Sequence, residues 1–244
     1  MKQIKLAALL FMGISSLSSA TFAHVVMKDE ALPVTAFAPH NWTGFYAGLN
    51  MGAMQHTMNI TDNNAATFLA TIQQASNPQF TGGLQIGYRR QLDFTHVSGV
   101  YGLEFSADFS NATFNQQYGS EFALYQLNAK NELNNLCLLE FIGGIAADKT
   151  LLFLAAGLSW TNISGTVTNI NSIPFFNSFS VNKKEVGGTV GGGIEYAFTD
   201  KISARLKVDV ISPNSYTVYD NVDNSYHVSN NIVQGTFGVN YKFA

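Results

Sequence analysis

The side chains best suited to acid–base or nucleophilic work are scattered along this chain. Its five histidines are His24 and His40 near the N-terminus, His56 and His227 in long polar stretches, and His96 in a short connection. A catalytic base needs a nucleophile or carboxylate within hydrogen-bond reach. Only His227, with Ser225, Ser229 and Asp223 close in sequence, offers such a grouping. Cys137 is the single cysteine, so neither an intrachain disulfide nor a cysteine-rich zinc cluster is available. The run GGTVGGG (187–193) lacks the Lys-Ser/Thr ending of a phosphate loop and lies inside a strand pattern. Its glycines are read as close-packing positions. No catalytic, metal or cofactor site is assigned, and no cofactor is expected.

The charged residues are more orderly. In EVGGTVGGGIEYAFTDKISARLKVDV (185–210), Glu195, Arg205, Lys207 and Asp209 share one period-two face with a row of glycines. The other face carries Val190, Ile194, Tyr196, Phe198, Ile202, Leu206, Val208 and Val210. A hairpin turning around Asp200 sets Glu195 opposite Arg205, with Lys207 diagonal to Glu195. Arg89 and Glu104 share the same kind of face on a second hairpin, and Glu140 is placed on it in a third segment. The expectation is a set of interior ion pairs in which Glu104, Glu140 and Glu195 face Arg89, Arg205 and Lys207, since buried charges without partners are costly. Lumen packing is one reading of such pairs; a gate or proton path is the other.

These residues sit on segments that alternate with period two. Eight are read as strands: 44–54, 80–90, 100–109, about 135–146, 151–160, the two arms of the hairpin at 185–210, and 233–243. The connections alternate long and short. The long ones, near 55–79, 110–134, 161–184 and 211–231, are rich in Asn, Ser, Thr and Gln, and AATFLATIQQA (65–75) in the first is a candidate short helix. In an up-and-down antiparallel barrel all long loops fall on one rim and all short turns on the other.

Residue size decides which face is inside. A soluble barrel would turn its polar face to bulk water, where Lys and Glu are favoured over rows of glycine. Here the polar row is Gly, Asn, Gln, Ser and Thr with few charges, which suits a narrow lumen. The apolar face then meets lipid. On it Phe45, Tyr88, Tyr101, Tyr196, Phe198, Tyr241 and Phe243 fall near the short-turn rim, and Phe80, Phe109 and Trp160 near the long-loop rim, as two interfacial girdles. The expected fold is therefore all-β: an eight-stranded antiparallel up-and-down transmembrane barrel.

The 244 residues are 46% hydrophobic and only 12% charged, with a net charge of -3. This composition excludes disorder and gives no electrostatic reason to bind nucleic acid. Lys2 and Lys5 precede an apolar run (6–14) and small residues at Thr21 and Ala23, the pattern of a signal peptide cut after Ala23, with Ala20 the second choice. The reading is a signal peptide at 1–23, a periplasmic lead-in at 24–41 and the barrel at 42–244.

NWTGFYAGLNMG (41–52), LLFLAAGLSW (151–160), the 185–210 hairpin and the C-terminal FGVNYKFA resemble the OmpA/OmpX-like outer membrane β-barrel family. The resemblance implies a Gram-negative outer membrane location, contact with lipid and lipopolysaccharide, and insertion by the barrel assembly machinery. Gly238, Tyr241 and Phe243 match the family's insertion signal, although Ala244 follows the aromatic residue that usually ends the chain. It implies no single activity. The reading adopted is a non-enzymatic surface protein making structural, adhesive or host contacts through its loops, with aromatic candidates Tyr118, Phe122, Phe175, Phe176, Tyr216 and Tyr219. A narrow pore, a lipid A-modifying enzyme and a soluble ligand-binding barrel are the alternatives.

Overall fold

The computed structural model describes residues 40–62, 71–94, 97–118, 127–169, 179–219 and 225–243. Ten strands follow in order: β1 Gly44–Asp62, β2 Thr71–Ala75, β3 Gln79–Asp93, β4 Ser98–Tyr118, β5 Leu127–Ala147, β6 Thr150–Asn169, β7 Phe179–Ala197, β8 Ile202–Pro213, β9 Tyr216–Tyr219 and β10 Ser225–Lys242. Neighbours pair antiparallel, and β1 pairs with β10 from Tyr46↔Lys242 to Asp62↔Tyr226, which closes the sheet on itself. β2 and β3 lie end to end along one side of β1, and β8 and β9 along one side of β10. Ten strands therefore make eight staves. The two interruptions fall at Pro78 and Pro213, where the missing amide proton removes a ladder bond.

Two sequence expectations change here. Thr71–Ala75, the second half of the candidate helix, is strand β2; residues 65–70 lie outside the described residues. The long polar stretches are largely strand, with β4 and β5 each 21 residues long, whereas crossing a bilayer takes about 9–11 residues. Beyond the lipid neither face needs to be apolar, so these extensions pair through their backbones without the alternation that marks a strand in sequence. Register shifts at Phe109/Ala112 and Leu133/Asn135 mark where β4 and β5 pass from one regime to the other. The signal peptide, most of the lead-in, His24, His96, Phe122, Phe175, Phe176 and Asp223 lie outside the described residues.

The exposure pattern is inverted relative to a water-soluble barrel. Leu154 is 74% exposed and Phe80 71%, while Glu104, Glu140 and Glu195 are each 1% exposed. Apolar side chains cover the outer wall because lipid is their solvent, and closure leaves no unpaired edge in that layer. The outward set includes every aromatic residue assigned to the girdles, with Phe45 against Tyr88, Tyr196 against Phe198 and Tyr241 against Phe243 as ring pairs.

Glycines on the inner wall make room for larger neighbours. A Cβ on Gly87 would fall 2.4 Å from the Tyr46 hydroxyl, and one on Gly193 would fall 2.9 Å from the Phe153 ring. At the short-turn rim the chain enters β1 through Gly44, whose φ of 141° is closed to other residues without strain.

Candidate functional site

The inner wall is layered, not uniformly polar. Along β5 from the short-turn rim the inward residues are Ala146, Gly144, Ile142, Glu140, Leu138 and Leu136. Ala146 and Ile142 belong to an apolar cluster with Trp42, Val100, Leu151, Phe153, Ala155 and Ala197. Leu138 and Leu136 belong to a second one with Met54, Ile211 and Ile232. Charged residues occupy the layer between them. The polar-face rule misses these clusters because inward Leu and Ile on a few strands are indistinguishable, in sequence, from ordinary lapses in alternation.

In the charged layer Arg205 grips Glu104 with both terminal nitrogens, Nη1 donating to Oε2 at 2.5 Å and Nη2 to Oε1 at 2.7 Å. Tyr46 donates its hydroxyl to Glu104 Oε2 at 2.5 Å. Arg89 Nη1 lies 2.8 Å from Glu195 Oε2 and its Nη2 lies 3.9 Å from Glu104, with the guanidinium 4.1 Å above the Tyr46 ring. Lys207 bonds Glu140 and lies 3.2 Å from Asp209. Ser203 Oγ and Asn240 Nδ2 both donate to Glu195 Oε1. Gln85 joins the two halves, accepting from Arg205 and donating to Asn240.

All six charged residues picked from sequence meet here, but two partners differ. Glu195 does stand opposite Arg205 in register, yet its ion pair is with Arg89, and Lys207 reaches Glu140. In the stave order, β3 and β7 stand four apart, as do β4 and β8. Inward side chains on a narrow barrel therefore reach across the bore more easily than along the wall, and local hairpin geometry cannot reveal this. Tyr46, Gln85, Asn50, Asp108, Asn240 and Gln234 are the members that sequence reasoning left unassigned. Their signal was their place on the polar row.

The short-turn mouth is covered by the segment before β1. Trp42 N donates to Gln91 Oε1, Lys242 Nζ bonds the Asn41 carbonyl, and His40 packs edge-on to Trp42 with its Nδ1 3.8 Å from Asp200. Burial lowers the His40 pKa, Lys242 and Lys149 lower it further, and Asp200 and Glu195 oppose the shift. The folded state then binds fewer protons than the unfolded one, so this cover holds fully above about pH 6.5 and weakens as pH falls below it. In a Trp160→Phe chain, where Trp42 is the only tryptophan, acrylamide quenching should rise on acidification. His40→Asn should flatten that response.

His56 is buried and faces Asn230 across 3.1 Å. His227 is exposed on the outward row of β10 that also holds Ser229.

The family model described as "Outer membrane protein beta-barrel domain" matches residues 31–243. The chain belongs to this family. It is 26% identical over 250 residues to the 31 kDa outer-membrane immunogenic protein of Brucella melitensis, and equally to that of Brucella suis, with all of each chain covered. The family and these relatives assign the chain to the outer membrane. Among solved structures, this outer membrane barrel is similar to OprG of Pseudomonas aeruginosa, at 15% identity and a TM-score of 0.46, with 84% of this chain and 98% of that one covered. It is also similar to the protease OmpT of Escherichia coli, at 11% identity and 0.46, with 86% and 99% covered. With Ail of Yersinia pestis the values are 7% and 0.37, with 82% and 99% covered.

Proposed function

We propose that this outer membrane barrel is a non-enzymatic surface protein, with a plugged lumen and a working surface formed by the strands and connections beyond the bilayer. The observation that carries the reading is strand length. β4 and β5 run to 21 residues, about twice what the membrane needs, and their distal halves are rich in Asn, with Gln116 and Gln117 beside them. Such a projection presents polar backbone-paired structure to other macromolecules while its base stays fixed in lipid. The immunogenic character named for the Brucella relatives fits a chain displayed in this way.

The plug is the second half of the proposal. We read the charged groups tied across the bore, with apolar clusters against part of the wall on either side, as closing the lumen to ions; the polar pocket at the short-turn mouth ends on Arg89 and Glu195. Insertion is proposed to use the C-terminal strand, where Tyr241 and Phe243 point outward and Gly238 inward, read by the barrel assembly machinery. Tyr88, Tyr101, Trp160, Tyr196 and Tyr241 then fix its depth in the bilayer.

Two measurements test this. Antibodies to the refolded protein should label intact cells and lose most of that labelling when residues 111–133 are replaced by a tight turn. Labelling that requires permeabilised cells would overturn the display. In planar bilayers the protein should show no conductance steps; discrete steps would favour the pore, and altered lipid A acylation on overexpression would favour an enzyme.

A further inference from the structure

Towards the long-loop end the sheet stops being a closed ring. β1 and β10 stay paired out to Asp62↔Tyr226, with β2 and β9 on their far sides. β4 to β7 stay paired among themselves, through Tyr118↔Leu127, Leu127↔Asn169 and Val167↔Phe179. β3 meets β4 no farther out than Thr81↔Ser110, and β7 meets β8 no farther out than Gly187↔Pro213. Among the described residues the projecting part is therefore two separate sheets. One has β2 and β9 as its edge strands, and the other has the distal parts of β4 and β7.

An edge strand presents a row of unpaired backbone N–H and C=O groups, and proteins blunt such rows with short strands, prolines or charged residues, lysine above all. Three of these edges carry such a device. β2 has 5 residues and is followed by Pro78, and β9 has 4 and is preceded by Pro213. The distal part of β7 carries Lys183, Lys184 and Glu185. β4 carries none. Its residues 112–118, ATFNQQY, hold no charge, no proline and no glycine, the composition that favours strand pairing between chains. Among the described residues their backbone pairs with β5 alone, from Ala112↔Leu133 to Tyr118↔Leu127. Strands are usually about 5–6 residues long, so the row can take a whole strand.

We infer that the outer edge of β4 at 112–118 is a docking edge whose occupant is an extended segment of another protein, added antiparallel as one more strand. This rests on the display proposed above, since the edge must lie outside the bilayer. Backbone geometry selects the occupant, because main-chain hydrogen bonds supply the affinity in strand addition. The stretch that pairs must lack proline at its donor positions. With no charge on the edge, the occupant needs no net charge and the complex is insensitive to salt. A second copy in the same membrane fits poorly. Two β4 edges would both run outward and could pair only parallel, the less stable arrangement. The oppositely directed edges of another copy, β2 and β7, are the short and the lysine-bearing ones.

The test uses the mature chain in lipid nanodiscs. The probe is a synthetic peptide of residues 127–133 with blocked termini, the stretch that already pairs with the other side of β4. Site-resolved amide hydrogen exchange should show every second amide of 112–118 exchanging fast in the free chain, and the alternate ones, bonded to β5, exchanging slowly. With free peptide at about ten times its Kd, the fast set should slow about tenfold, at low and high salt alike. Asn115→Pro or Gln116→Pro, whichever replaces a fast-exchanging amide, should abolish that protection and keep the heat-modifiable shift, because proline there removes an edge donor and spares the β5 ladder. The inference is overturned if the free chain has no fast set, since the edge would then be covered already. It is also overturned if the peptide slows nothing up to its solubility limit, or if protection rises with protein concentration alone, which would make a second copy the occupant. These results need no variant to fold. Intact surface labelling with a failed edge would leave the display standing, whereas absent labelling would remove the display whatever the peptide does.

Discussion

Glu104→Ala should lower the stability of the refolded barrel by about 3–5 kcal/mol, the usual cost of leaving a buried charge without its partner. Glu104 is the acceptor for both arms of Arg205 and for the Tyr46 hydroxyl, and Arg89 lies within 3.9 Å of it. Its removal leaves Arg205 without its carboxylate partner, while Arg89 keeps Glu195 and Lys207 keeps Glu140 and Asp209. Urea unfolding in lipid vesicles, followed by the heat-modifiable gel shift, measures the change. Glu104→Gln keeps the side-chain volume and should still lose most of it, which separates charge from packing. The double variant Glu104→Gln, Arg205→Met should regain a large part, since replacing both members of a buried pair is often neutral. A loss below about 1 kcal/mol for Glu104→Ala would mean that water reaches these groups, and the plug would have to be abandoned.

Leu206→Arg is the second large effect, expected at about 2–4 kcal/mol, the cost of Arg near the bilayer midplane on a barrel's lipid face. Leu206 is 58% exposed, stands opposite Ile194 and Phe237 in register, and lies midway along the spanning part of β8. Leu206→Phe at the same position should be close to neutral, because either side chain suits lipid. The same unfolding assay checks both. If Leu206→Arg were tolerated in vesicles, the outer wall would be meeting water and the inside-out reading of the alternation would fail.

What could be read in the sequence was the part governed by the bilayer. Between Gly44 and Met54, or Ile202 and Val210, lipid on one side and a crowded lumen on the other force strict alternation, and glycine in place of Lys or Glu on the polar row tells which side is which. The membrane-distal halves of β4 to β7 could not be read, because residues such as 111–118 and 127–133 carry no period-two alternation in sequence, as expected where no lipid imposes one. The interior charged and polar residues on the polar row were visible as positions, but their partners were not. Glu195 and Arg205 are neighbours in a hairpin, yet each is paired with a residue from across the bore: Arg89 lies 106 positions before Glu195, by subtraction of their sequence numbers, and Glu104 is 101 positions from Arg205. Such separations are set by closure of the whole sheet, which no local window contains. Trp42 was legible only as part of a family-like entry strand; its place in the apolar cluster with Leu151 and Phe153 follows from how the chain enters β1 at Gly44.

The two long ion pairs have a mechanical side. A thin-walled tube resists squeezing poorly, since its wall flattens into an oval long before it tears. Arg89–Glu195 and Arg205–Glu104 run between staves four apart in a ring of eight, so each is a tie across a full diameter, and the two diameters are adjacent. Linked from Arg205 through Gln85 and Asn240 to Glu195, they act like spokes. Lateral pressure from lipid packing then meets a braced section in the half of the barrel nearer the short turns.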